Sequence, residues 1–300
     1  MRLKSAAVWG ISDTHAHHIR AARHLSERSW EVSIGFGILS WRGYASLAAG
    51  LETYRNADLF EMFDRTLVFL PQMEEAGVEI SKRFGLPFAG TSDNLGILGG
   101  FKALAQALTT DTIVLAENDY ILVEPREEAE RRLAVARRHI EAGDAHVWRL
   151  RVYGQPSLDH DFENVKAYWP PASASAAKRR LAAARRLLRP RKARSLIGRT
   201  AFIDEAPERR FPDDFRRTEE GDLLVRSRSL PWANNVFMVR REFFLNIVIP
   251  AAEAHVRGRL VNGFPSIETE LNRGWWRRQD FWIGLGRGLF LHRRLGDRGY

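Results

Sequence analysis

Thr112-Ile-Val-Leu-Ala-Glu-Asn-Asp119 is the stretch on which the reading of this chain turns. A short apolar run ends in an acid, an amide and a second acid. The run is too short for an ordinary helix and is rich in residues that suit a buried strand. In an extended chain residues i and i+2 face one side, so Glu117 and Asp119 are expected to face one ligand. Two neighbouring carboxylates repel each other, and a divalent cation bridging them to phosphate oxygens would relieve that. Magnesium typically binds through one or two carboxylates plus substrate phosphates.

Upstream, strands and helices alternate. Glu31–Leu39 reads as a buried strand ending in the polar turn Ser40-Trp41-Arg42-Gly43, and Tyr44–Tyr54 has helical spacing. Arg65–Leu70 is a second β-rich run, closed by Pro71. Met73–Phe84 is helical and Leu86–Ala89 a short strand. A glycine-rich turn, Asn94–Gly100, then feeds a helix from Phe101 to Leu108. Downstream, Arg126–Ala142 is a strongly charged helix. This alternation predicts an α/β fold, with a mainly parallel sheet flanked by helices on both faces. Ligands of such sheets sit at the carboxyl ends of the strands, where Ser40–Gly43, Thr91–Gly100 and Glu117–Asp119 all fall.

The second half is less regular. Pro170-Pro171 and an Ala/Ser-rich stretch mark a break, Arg209–Glu220 reads as a polar loop, and patterning resumes at Trp232–Arg240 and in a helix near Glu242–His255. Between Lys178 and Arg199 stand ten basic residues and no acid, against a net charge of +9 for all 300 residues. The protein is therefore a nearly neutral body with one basic arm, which argues against a whole-surface nucleic-acid binder. Leu181, Ala184, Leu187 and Leu188 recur in that arm at helical spacing, so it is expected to dock on an anionic membrane surface. There are no cysteines, which excludes disulfides and thiolate metal sites. No run reaches the roughly 18 apolar residues of a membrane span, and the reading is of a cytoplasmic protein, peripheral at most on the inner face of the membrane.

The order Val-Ser-Ile … Ser-Trp-Arg42, then Asn94-x-Gly96 opening a helix, then Ile113–Asp119, resembles the nucleotide-binding half of a GT-A glycosyltransferase of the family 2 type. That resemblance implies a Rossmann-like sheet and transfer of a sugar from a nucleotide-diphosphate donor to a saccharide or lipid-linked saccharide. By the same resemblance Ser40 and Arg42 lie near the base; Asn94, Gly96, Lys102, Asn118 and Arg293 lie near the donor; and Glu117 and Asp119 hold Mn2+ or Mg2+. The late histidine of Gly286–Arg294 resembles a third metal ligand, His292, with Arg293 and Arg294 facing the leaving diphosphate. Ile267–Asn272 resembles the acidic stretch that supplies the base of inverting members, with Glu268 the first choice and Glu270 the second. The chain departs from the family in having Glu at the first acidic position, and Leu70-Pro71-Gln72 where an acid usually stands near the base. The implied division is an N-terminal extension (1–30), a nucleotide-sugar-binding half (31–125) and an acceptor-binding half (126–300) with a basic insertion at about 172–200. Asn234-Asn235 and Trp275-Trp276 are candidate acceptor contacts.

A competing expectation starts at Ser12-Asp-Thr-His-Ala-His-His18, where Asp13 and His15 could begin a metallophosphoesterase. Such an enzyme needs later Gly-Asn-His and Gly-His-x-His segments, and the sequence has neither. A non-catalytic membrane-associated interaction module is the remaining alternative.

Overall fold

The computed structural model describes residues 33–152, 159–254 and 260–295. The strands among them are β1 (Ile34–Leu39), β2 (Arg65–Leu70), β3 (Phe88–Gly90), β4 (Thr112–Glu117), β5 (Tyr120–Leu122), β6 (Val147–Arg151), β7 (Phe215–Arg217), β8 (Leu223–Arg226), β9 (Phe237–Arg240) and β10 (Trp282–His292). They form one sheet in the order β3-β2-β1-β4-β9-β6-β10-β8-β7, with β5 also paired to β10.

The first four strands are parallel, as their continuous apolar runs demand: a strand covered on both faces has no polar side to alternate with. Helices α1 (Tyr44–Asn56), α2 (Glu75–Arg83) and α3 (Gly96–Ala107) make the crossovers. The glycine-rich stretch read as a turn is already helical from Gly96 onward. Gly100 lets α3 lie close to the sheet, since a Cβ there would stand 2.7 Å from Leu39 Cδ1. Beyond β4 the directions mix. β9 is antiparallel to both β4 and β6, while β10 runs parallel to β6 and antiparallel to β8 and β5.

Each face of the sheet has its own core. On one, Phe101, Leu104 and Ala105 of α3 pack with Leu115, Phe237, Trp232 and Trp276. On the other, Leu47, Leu51 and Tyr54 of α1 meet Leu133, Ala136 and Ile140 of α4 (Arg126–Ala142). Trp276 donates its indole N–H to Leu230 O at 3.0 Å and sits edge-on to Trp232 at 5.0 Å. That corrects the expectation of an acceptor contact: Trp276 is a core residue.

The second half holds two further corrections. Arg209–Glu220 is not all loop, because α8 (Pro207–Arg210) and β7 lie across it. Only Phe215 of β7 is buried, which left too little alternation to see. The Glu242–His255 helix is built as α9 (Arg241–Phe243), a π-helical stretch (Phe244–Val248) and α10 (Ile249–Ala254). Pro250 lacks the N–H for an α-helical bond to residue 246, and a wide turn ahead of it accommodates that loss. The basic arm folds as α6 (Ala176–Leu188) and α7 (Pro190–Ser195), packed beside α5 (Asp159–Tyr168) through a small cluster of Val165, Tyr168, Ala193 and Leu196. Among the described residues no helix is long and apolar enough to cross a membrane.

Two positions on α3 separate core from surface. Leu104→Ala is expected to lower unfolding stability by about 3 kcal/mol, read by urea denaturation. Lys102→Ala, which removes only a partly exposed ion pair, should change it by less than about 1 kcal/mol.

Candidate active site

The carboxyl ends of β1 and β4 lie side by side, with Leu39 and Glu117 in register. The chain does not stay extended after Glu117. Asn118 and Asp119 form a tight turn, because β5 must reverse to pair antiparallel with β10, Tyr120 opposite His292. The i, i+2 argument is thus corrected in its cause: a turn, and not strand alternation, brings Glu117 and Asp119 to one cleft. The empty space of that cleft, open solvent at its mouth included, is about 820 Å³. Leu39, Trp41, Pro71 and Ile97 give it apolar walls.

Asn118 is a brace. Its side-chain amide donates to Ser40 Oγ at 3.2 Å and to Arg42 O at 2.7 Å. It thereby fixes the Ser40–Gly43 turn, in which Arg42 and Gly43 both have positive φ. Ser40 is buried beneath this contact and donates to Arg42 O. The Arg42 guanidinium lies over Trp41 and pairs with Glu74 at 3.4 Å, while the Trp41 indole N–H donates to Gln72 Oε1 at 3.0 Å.

Asp119 is buried. Its Oδ2 lies 2.9 Å from His292 Nε2 and accepts from Arg294 Nη2 at 3.1 Å, while Oδ1 is buried without a hydrogen-bond partner. Burial alone pushes this carboxyl up, but the hydrogen bonds and charges of His292 and Arg294 outweigh it and hold the group below its ordinary value. An ionised carboxylate with a vacant lone pair beside Glu117 fits a hard divalent cation that draws its other ligands from phosphate and water. Among the described residues no three acidic or histidine side chains converge closely enough to hold an ion unaided.

Asn94 Oδ1 accepts from the Gly96 N–H at 2.9 Å, shaping the entry to α3. Gly96 has φ +63, and a Cβ there would stand 2.3 Å from Phe264 Cβ. Phe264 belongs to a tight hairpin, Val261-Asn262-Gly263-Phe264, bridged by Val261–Phe264 backbone bonds with positive φ at Asn262 and Gly263. The hairpin seats on Gly96 and brings Asn262 to the cleft. Sequence reading passed over it, although Asn-Gly between apolar residues is the usual signal for such a turn.

Several expected residues lie elsewhere. Lys102 points away to an ion pair with Glu253 at 2.6 Å. It stands six residues past Gly96, which at about 100° per residue turns it roughly 240° around the helix, away from the face of the helix start. Arg293 contributes its backbone N–H to Asp119 O at 2.7 Å while its side chain is exposed; Arg294 is the one at the cleft. In α11 (Ile267–Asn272), Glu270 is fully enclosed, whereas Glu268 is exposed. Protein crowding the Glu268 carboxyl pushes it up, offset in part by Arg149, the Asn234 N–H and Arg151. The charge of Glu268 also reaches Tyr120, whose hydroxyl donates to Asn235 Oδ1 at 3.0 Å alongside Arg151. Asn234 is buried and accepts from the Trp232 indole. Asp13 and His15 lie outside the described residues.

No protein-family model matches the sequence, and no curated protein matches it. Solved structures that it is similar to include the Pyrobaculum calidifontis mannosyltransferase PcManGT in complex with GDP-Man and Mn2+, at 9% identity and TM-score 0.48 over 94% of this chain and 64% of that one. Staphylococcus aureus TarS 1-349 in complex with UDP-GlcNAc is matched at 9% identity and TM-score 0.48, over 89% of this chain and 60% of that one. Mycobacterium tuberculosis glucosyl-3-phosphoglycerate synthase with Mn2+, UDP and phosphoglyceric acid is matched at 11% identity and TM-score 0.48, over 88% and 72%. The chain spans about three fifths of the length of the first two.

Gly96→Ala is expected to destabilise the protein by about 2 kcal/mol or more, through left-handed strain and displacement of the Phe264 hairpin. Thermal unfolding would read this, and an unchanged melting temperature would refute the contact.

Proposed function

We propose that this protein is a metal-dependent glycosyltransferase that moves a sugar from a nucleotide-diphosphate donor to a saccharide or lipid-linked saccharide acceptor, with inversion. The observation that carries the reading is the state of Asp119: buried at the carboxyl end of β4, clamped through one oxygen and unpartnered at the other. Residues 31–125 supply most of the donor side in this reading. The Asn262 hairpin and Arg294 reach back to it from the acceptor-binding half, 126–300.

Glu117 and Asp119, with His292 beside them, would hold Mn2+ or Mg2+, whose charge would offset that of the donor diphosphate. Arg294 adds a fixed positive charge where the nucleoside diphosphate leaves with the electron pair of the broken C–O bond. Trp41 and Pro71 offer apolar walls for the base. Glu268 takes the proton of the acceptor hydroxyl as its oxygen bonds the anomeric carbon from the opposite face. A carboxyl whose pKa is raised is a stronger base than an ordinary one.

UDP- and GDP-linked sugars, the ligands in the structures described above, are the first probes. With Mn2+ present one of them should raise the melting temperature, by about 2.7 kcal/mol of stabilisation at a hundredfold excess over Kd. Asp119→Ala should abolish the shift, and a shift that survives it would sink the reading. Glu268→Gln should lower kcat by about 10²–10⁴-fold while leaving donor stabilisation intact. Because the Glu268 carboxyl is raised and must be ionised to act, kcat/KM should fall as pH drops through a midpoint above the ordinary 4.5.

A further inference from the structure

Two of the most exposed large apolar side chains among the described residues stand next to each other at the end of α6. Leu187 is 82% and Leu188 81% exposed, with Leu181 at 53% on the same helix. Ala182 is the helix's buried contact, so the leucines are not needed for packing within the protein. Around them stand Lys178, Arg180, Arg185, Arg189, Arg191 and Lys192, all exposed, with no acid between Lys178 and Arg199.

Beside this helix lie two concavities that share Arg186. One is lined by Arg179, Arg186, Arg209 and Arg210, against a single acid, Asp204. Arg186 and Arg210 both lie over the Trp169 ring, at 4.7 and 5.4 Å, and burial, with a smaller contribution from the charge of Arg210, lowers the Arg186 pKa. Arg210 pairs with Asp204 at 3.6 Å and Arg186 donates to Tyr168 O at 2.7 Å, but four guanidiniums against one carboxylate leave the pocket with an excess of positive charge. The other concavity is mostly apolar, lined by Trp169, Leu187, Pro190 and Ile197 together with Arg186 and Arg194.

We propose that α6 and these two concavities form a docking surface for an anionic lipid bilayer, with the arginine pocket taking a headgroup phosphate and the leucines entering the acyl boundary. The pairing of cationic and apolar surface selects this partner. A nucleic-acid duplex would use the charges but leave Leu181, Leu187 and Leu188 in water. The inference is independent of the transferase reading, since its test requires no catalysis.

Flotation of the full chain with phosphatidylcholine vesicles, with and without about 30% phosphatidylglycerol, tests it. Strong partitioning only with the anionic lipid is expected. Leu187→Gln with Leu188→Gln should lower it about tenfold or more, and Arg189→Gln alone about fivefold at low salt. Unchanged melting temperatures in these surface variants would confirm intact folding. Equal partitioning to both vesicle types, or indifference to the leucine pair, would overturn the proposal. So would tighter binding to a DNA duplex that the leucine changes leave untouched.

Discussion

Asp119 is held at three points by one short segment. Its Oδ2 meets His292 and Arg294, and its backbone oxygen accepts the Arg293 N–H. A buried carboxylate without partners would be driven to its neutral form; here a guanidinium and an imidazole keep it charged. The same contacts close β5 onto β10, and Tyr54 secures that closure from α1 by donating to Tyr120 O at 2.7 Å. The acidic turn, the end of β10 and α1 are therefore one mechanical unit. The cleft takes its shape from it.

The α/β class and the parallel first half were legible because apolar runs such as Ile34–Leu39 and Thr112–Glu117 admit few other structures. The charged helix Arg126–Ala142 could be bounded to the residue, since Pro125 opens it and Gly143 closes it with a left-handed conformation. The second half resisted for physical reasons. β7 and β8 are short and sit at one end of the sheet, and β10 pairs with β6, β8 and β5 along its length. A strand whose neighbours change along its course carries no single period.

At the site, the acids drew notice in the sequence because two neighbouring carboxylates ending an apolar strand repel each other. The resemblance marks Asn118 as a donor-side residue, but its bracing role was not legible: it ties down Ser40 and Arg42, a contact across 76–78 residues of chain. Lys102 and Glu270 were chosen for their chemistry, yet which way a helix turns them depends on partners, Glu253 for one and complete enclosure for the other. Arg293 and Arg294 follow the end of β10, where Arg293 bonds Asp119 through its backbone N–H and Arg294 through its guanidinium. The histidine-rich stretch near the start offers suitable ligands, but no downstream segment of the matching kind.

The clamp on Asp119 joins residues 173 and 175 positions apart. Contacts of that span close late in folding, after the loop between them has been ordered. On the ribosome, the acidic turn would emerge long before its partners on β10. A nascent chain halted before Trp282 would carry a parallel sheet and a pair of acids, but no clamp to keep Asp119 charged. Such a fragment would also lack Ile283 and Leu285 of one core and Trp282, Leu289 and Phe290 of the other, so the two cores and the cleft reach completion only with β10.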